Sequence, residues 1–133
     1  MDNNAYKLSL DKLSKNEIPA QSLYEKFLKK IDFNIDGDYL NFISQNDGAD
    51  GDIGKEKYLS LWDIENILAF NPYYEDVEAC NNLFFFGTDG SNYGYAFNKN
   101  TDKIIGIDFL DIGNVPPDEI ANSFKEFLTN LNK

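Results

Sequence analysis

Residues 83–109 read LFFFGTDGSNYGYAFNKNTDKIIGIDF, three strand signals in succession. Leu83 to Phe86 is wholly apolar, Tyr93 to Phe97 alternates, and Ile104 to Phe109 is β-branched and apolar. Thr88-Asp89-Gly90-Ser91-Asn92 and Lys99-Asn100-Thr101-Asp102 are turn-forming connections, so the three runs predict an antiparallel meander. Phe84, Phe85, Phe86, Tyr93, Tyr95 and Phe97 fall on both faces of such a sheet. The favoured expectation is a two-sided core. The alternative is an aromatic patch left exposed and rimmed by acids, which would be a binding surface.

On the C-terminal side, Pro116-Pro117-Asp118 predicts the start of a last helix. Its apolar stripe, Ile120, Phe124, Phe127, Leu128 and Leu131, would dock on the sheet. On the N-terminal side, Tyr24, Phe27, Leu28 and Ile31 have helical spacing, and Ser22 with Glu25 suits a capping box. A shorter helix follows from Asp36 to Asn46, with Tyr39, Leu40, Phe42 and Ile43 inward and Gly48 as a left-handed cap. Residues 49–59 suggest a hairpin or two short strands. A third helix carries Ile64, Ile67 and Leu68 on one face, with Trp62, expected to be buried at least in part, near its start. It should stop at Asn71-Pro72, because the residue before proline avoids the helical region. Tyr73 to Cys80 would add a helical turn. Residues 1–17 are polar and weakly patterned, and are expected to be the least ordered. Helices, a meander, then a helix make an α+β fold, an antiparallel sheet flanked by helices, as one domain over residues 1–133.

A hydrophobic content of 42 % and an aromatic content of 15 % supply a core and argue against disorder. The charge is lopsided: 23 acids against 12 bases, a net charge of −11. All the bases are Lys, with no Arg and no His. Arg is the preferred fork for phosphate and guanine edges, so its absence together with the negative charge argues against nucleic-acid binding. An acidic surface attracts a basic partner, although it can also serve solubility alone. Cys80 is the sole cysteine, so no intrachain disulfide can form and a reducing compartment fits. MDNNAYKLSL is no secretory signal, and no stretch approaches the roughly 20 apolar residues of a membrane span. The expectation is a soluble cytoplasmic protein with no membrane partner. Abundant Asn, Lys, Ile, Phe and Tyr suit an AT-rich bacterial genome.

Candidate chemistry is sparse. Asp32-Phe33-Asn34-Ile35-Asp36-Gly37-Asp38 matches the opening D-x-N-x-D-G of a calcium loop. The twelfth position is Ile43, where the bidentate Glu belongs, so an interhelical turn is expected and no metal or other cofactor. Asp47, Asp50, Asp52 and Glu56 crowd one segment, but with no His, nucleophile elbow or phosphate-cradling loop the roles of an enzyme are unfilled. Cys80 has no imidazole to activate it and is expected to be a small buried hydrophobe.

Three segments together resemble the SUKH superfamily, which includes bacterial toxin-immunity proteins and a yeast cell-wall-synthesis regulator. DYLNFISQNDG at 38–48 is similar to the family's "P-x-D-Y-x-x-F-L…N-G", with Gly37 and no proline ahead of it. DIGKEKYLSLWDIENI at 52–67 resembles "IG…YL-x-LW…EEI", and Asn71 and Tyr74 resemble the "N-x-x-Y" that follows. LFFFGTDGSNYGYAFNK at 83–99 resembles "FFGSDGGGEAYAFD", with Ser91-Asn92-Tyr93-Gly94 in place of the glycine-rich part. IANSFKEFL at 120–128 looks like the family's last helix, and the resemblance spans roughly residues 36–131. It implies an α+β domain without an enzymatic site. In the bacterial case it implies an immunity protein that binds and blocks a cognate toxin, of nuclease or deaminase type; the alternative is an intracellular scaffold or regulator of the yeast kind. The expected contacts for a basic toxin domain are the acids near the glycine-rich turns: Asp47, Asp50, Asp52, Glu56 and Asp89. Otherwise these acids only terminate turns, and the partner docks elsewhere.

Overall fold

The computed structural model describes residues 3–133. Residues 83–109 fold as the meander expected of them: β4 (Leu83–Thr88), β5 (Tyr93–Asn98) and β6 (Ile104–Asp108), each antiparallel to the next. The meander is the centre of a larger sheet. β1 (Ser14–Lys15), β2 (Ala49–Asp52) and β3 (Tyr58–Leu61) precede it and β7 (Asp118–Ala121) follows, giving a seven-stranded sheet in strict chain order. Helices fill the gaps: α1 (Asn3–Asp11) before β1, α2 (Gln21–Lys30) and α3 (Gly37–Gln45) between β1 and β2, α4 (Ile64–Glu75) between β3 and β4, and α5 (Phe124–Leu131) after β7. The fold is α+β, with the C-terminal helix on the sheet.

Both faces of the meander are buried, as the favoured expectation had it. One face presents Phe84, Phe86, Tyr95, Phe97 and Ile104 to Phe27 of α2, to Tyr39, Phe42 and Ile43 of α3, and to Phe124, Phe127 and Leu128 of α5. The other presents Phe85, Ala96, Ile105 and Ile107 to a thinner cover made by Trp62, Tyr74, Val77, Cys80, Phe109 and Ile112. That cover spans β4–β6 only. On β2 and β3 the inward residues are Ala49, Leu59 and Leu61, while Asp50, Asp52, Tyr58 and Ser60 alternate outward and are not buried.

Several local expectations are corrected. Residues 3–11, within the segment read as polar and weakly patterned, form α1, which packs on α5 with Tyr6 edge-on to Phe124; residues 1–2 lie outside the described residues. Helix α2 begins after Ala20 with no side-chain cap, so Ser22 and Glu25 form no capping box; Phe27 is its buried residue and Leu28 is exposed. Leu40 of α3 is only partly buried, and Gly48 takes its positive φ of 89° beyond the cap residue Asn46, entering β2. Helix α4 does not stop at Asn71 but runs through Pro72 to Glu75, after which Glu78–Cys80 makes a 3₁₀ turn. Tertiary bonds outweigh the proline here: the buried Asn71 amide donates to the carbonyls of Ile67 and Phe85 (both 2.9 Å) and accepts from the Phe85 N–H at 2.7 Å. Pro116–Pro117 does not start a helix. Asp118–Ala121 pairs with β6 instead, through Ile105↔Glu119 and Ile104↔Ala121. Helix α5 begins only after Ser123, whose hydroxyl accepts from the Glu126 N–H at 3.1 Å.

The calcium-like segment is an interhelical turn whose carboxylates diverge. Asp32 pairs with Lys99 at 3.1 Å and Asp38 with Lys125 at 3.8 Å. One Asp36 oxygen caps α3 by accepting from Asp38 and Tyr39, and the other accepts from the Phe124 N–H at 2.9 Å, tying the starts of α3 and α5 together. Phe33 packs on Phe84 with ring centroids 5.4 Å apart. Cys80 is buried, and burial pushes its thiol pKa up, so the thiolate is disfavoured.

Candidate functional site

The acids singled out from the sequence lie around the β2–β3 hairpin and the β4–β5 turn and divide by what holds them. Asp47 accepts from the Ile64 N–H at 2.8 Å, so it caps α4 from outside while Asp63 caps it from within through Asn66 at 2.9 Å. Asp89 Oδ1 accepts from Ser91 at 2.9 Å and Tyr93 at 3.3 Å, closing the β4–β5 turn. Asp50, Asp52 and Glu56 are exposed. Glu56 sits at the tip of the β2–β3 hairpin, with φ of 58°.

Tyr58 joins the two hairpins. Its hydroxyl donates to Asp50 Oδ2 at 2.6 Å across the β2–β3 pair. That hydrogen bond holds the phenol proton and raises the Tyr58 pKa, with the Asp50 and Asp52 charges adding to it. The other side of the Tyr58 ring lies against Gly90, at the tip of the β4–β5 turn. A Cβ there would come within 2.7 Å of the ring, and φ of 85° favours glycine in any case. The structure therefore brings Asp50, Tyr58 and the Asp89–Gly90 turn into one surface. Asp52 pairs with Tyr58 in the strand register, and Asp47 stands behind them at the base of α4.

Beside this acidic surface runs an aromatic one that the sequence reading did not assemble. Trp62 is partly buried, as expected, and its backbone N–H donates to the Phe86 carbonyl at 2.9 Å, where a bulge gives β4 an extra residue. Its ring packs on Phe70, centroids 5.0 Å apart, and Phe70 is 46 % exposed. One turn further along α4, Tyr73 is 75 % exposed, and its ring meets Tyr74 edge-on at 5.3 Å. The available signal was Trp62, Phe70 and Tyr73 flanking a helix whose inward face, Ile64, Ile67 and Asn71, is complete without them.

Among the described residues no group of three or more Asp, Glu, Cys or His side chains converges as a metal site, and no helix is long and apolar enough to cross a membrane. The geometry offers carboxylates, a phenol held by a carboxylate, and flat aromatic faces. Those groups suit recognition of cations and apolar surface.

No curated protein matches the chain. A family model does, over residues 13–130, which takes in every strand of the sheet, the acidic hairpins and the aromatic helix. The chain belongs to the SMI1 / KNR4 family (SUKH-1).

Proposed function

We propose that this chain is a non-catalytic binding protein, an immunity protein that docks on a cognate, basic polymorphic toxin of nuclease or deaminase type and blocks it in the cytoplasm. The observation that carries the reading is membership of the SMI1 / KNR4 family over residues 13–130. A net charge of −11 with no Arg supports it, since such a surface repels nucleic acid and draws in a basic protein. Asp50, Asp52 and Glu56 are the steering charges of the contact, while Asp47 and Asp89 hold the base of α4 and the β4–β5 turn in shape beside them. Removing an exposed acid slows association and weakens its salt dependence, whereas removing a desolvated one speeds dissociation. The second reading, a regulatory scaffold of the SMI1 / KNR4 kind, follows from the same family membership.

The test is co-expression with the protein of a toxin gene adjacent to this one. Cells making both should survive where cells making the toxin alone die. Equal killing in the two cultures would refute immunity and move the scaffold reading ahead.

A further inference from the structure

We propose that the Trp62–Phe70–Tyr73 face of α4 is the docking face for a cationic segment of a protein partner, Arg or Lys side chains on an otherwise apolar strip. This rests on the reading that the chain works by binding a protein, whether toxin or regulatory target.

Two cavities meet at this face. A polar groove of about 290 Å³ is lined by Asp50, Ser60, Trp62, Asp63 and Asn66. An apolar depression of about 390 Å³ is lined by Ala69, Phe70, Tyr73 and Tyr74. Trp62 walls the first and Phe70 the second, and their rings pack 5.0 Å apart, so the two form one surface with carboxylates at one end and aromatic rings at the other.

Charge selects the occupant. Asp50 and Asp63 line the polar groove itself. Between Lys57 and Lys99 the chain has no basic residue but has Asp63, Glu65, Glu75, Asp76, Glu78 and Asp89. Lys30 and Lys99 meet α4 in a separate crevice, beside Pro72 and Glu75. Among the described residues, the ion pairs Lys99–Asp32, Lys103–Glu119 and Lys125–Asp38 involve none of these acids. A guanidinium or ammonium over Trp or Tyr is attracted by the ring quadrupole, and the neighbouring carboxylates strengthen that attraction. Trp, Tyr and Arg are also the side chains that dominate interface energies. A second copy of this chain is disfavoured, because each copy carries −11 and Asp50 and Asp63 line the groove at this face.

The test starts from a displayed library of random peptides, selected on the wild-type protein and counter-selected on the double variant Phe70→Ser/Tyr73→Ser. Both substituted residues are exposed, so the variant should fold, and its melt compared with wild type checks this. Trp62 is the only tryptophan, so its emission reports the face directly. Selected peptides should be rich in Lys or Arg and shift that emission saturably. Binding should weaken at least about tenfold in the double variant, the loss of one aromatic hot spot. It should also weaken with added salt and vanish when the peptide's Lys and Arg become Gln. Should the double variant melt early, the charge variant Asp50→Asn/Asp76→Asn replaces it, with the same tenfold criterion relaxed to a measurable loss that salt abolishes. Peptides without basic residues, equal binding to wild type and variant, or no selected peptide would overturn the proposal. So would a dimer in sedimentation that Phe70→Ser dissolves. The co-expression test separates the two readings. If wild type and the double variant protect cells equally, this docking face falls and immunity stands; if wild type fails to protect but the cationic peptides bind, immunity falls and the docking face stands.

Discussion

Asn71 is the side chain on which the junction of α4 and the sheet depends, and replacing it separates hydrogen bonding from packing. β3 meets β4 only at Leu61↔Gly87 and Ser60↔Thr88, so at Phe85 the Asn71 amide serves as the neighbour that the strand lacks. Asn71 is 7 % exposed and Phe85 fully buried, so no water replaces a lost bond at little cost. Asn71→Ala leaves both the N–H and the C=O of Phe85 unpaired; at about 1–3 kcal/mol each, the variant should lose about 2–6 kcal/mol. Asn71→Asp should be worse at neutral pH. It keeps an acceptor for the Phe85 N–H but turns a carboxylate oxygen toward two carbonyls that had been receiving hydrogens. Those carbonyls and the burial raise the new carboxyl's folded pKa above its unfolded value of about 3.9. The folded state then holds its proton more tightly, so stability is greatest below the unfolded pKa and falls as pH rises through the folded one. The assay is urea unfolding of wild type and both variants at several pH values, read as the gap between Asp and Ala variants in the same buffer. That gap should shrink as pH falls. An Asn71→Ala loss below about 0.5 kcal/mol, or an Asp variant as stable as wild type at pH 7, would refute the reasoning.

Phe124 is fully buried with ring contacts to Tyr6, Tyr39, Phe42, Phe86 and Phe127, so Phe124→Ala should cost about 3–5 kcal/mol in a denaturant melt. A neutral result would mean that α5 is peripheral. The Tyr39 hydroxyl is buried without a hydrogen-bond partner among the described residues, so Tyr39→Phe should hold or raise stability by about 1 kcal/mol, and a comparable loss in the same melt would count against that environment. Burial first, and Asp charges second, push Tyr6 and Tyr95 up to about 12, and Tyr39 and Tyr93 are raised further. Folded values above the unfolded value of about 10 mean that stability is intact below pH 10 and declines as pH climbs toward those values. Unfolding followed with tyrosinate absorbance should show this, and stability unchanged across that range would contradict it.

What could be read from residues alone tracks how local each signal is. The meander was legible because Leu83–Phe86, Tyr93–Phe97 and Ile104–Ile107 each carry the strand pattern within a few residues. β7 was not. Asp118-Glu119-Ile120-Ala121 has no strand signature of its own, and only pairing with β6 makes it one, while two prolines drew the start of α5 away from the Ser123-x-x-Glu126 cap. Helix α4 was cut short at Pro72 because the bonds that hold Asn71 come from a strand fourteen residues away. Of the site, the acids were legible as residues, and so was a turn role for Asp47 and Asp89. The Trp62–Phe70–Tyr73 face was not, because it depends on how far the cover over the sheet extends, a property of the packed tertiary structure.

A sheet laid down in chain order has a consequence for synthesis. Each strand from β2 onward finds its partner already made, so pairing can keep pace with translation. The inner layer cannot. Phe124, Phe127 and Leu128 fill its centre, the second oxygen of Asp36 awaits the Phe124 amide, and Gly54 of the β2–β3 turn seats against the Leu131 backbone. Until residues 124–131 leave the ribosome, a nascent chain holds a paired sheet with a wet aromatic face, the kind of intermediate that chaperones hold and proteases cut. A product truncated before Phe124 should therefore be degraded instead of surviving as a weaker binder.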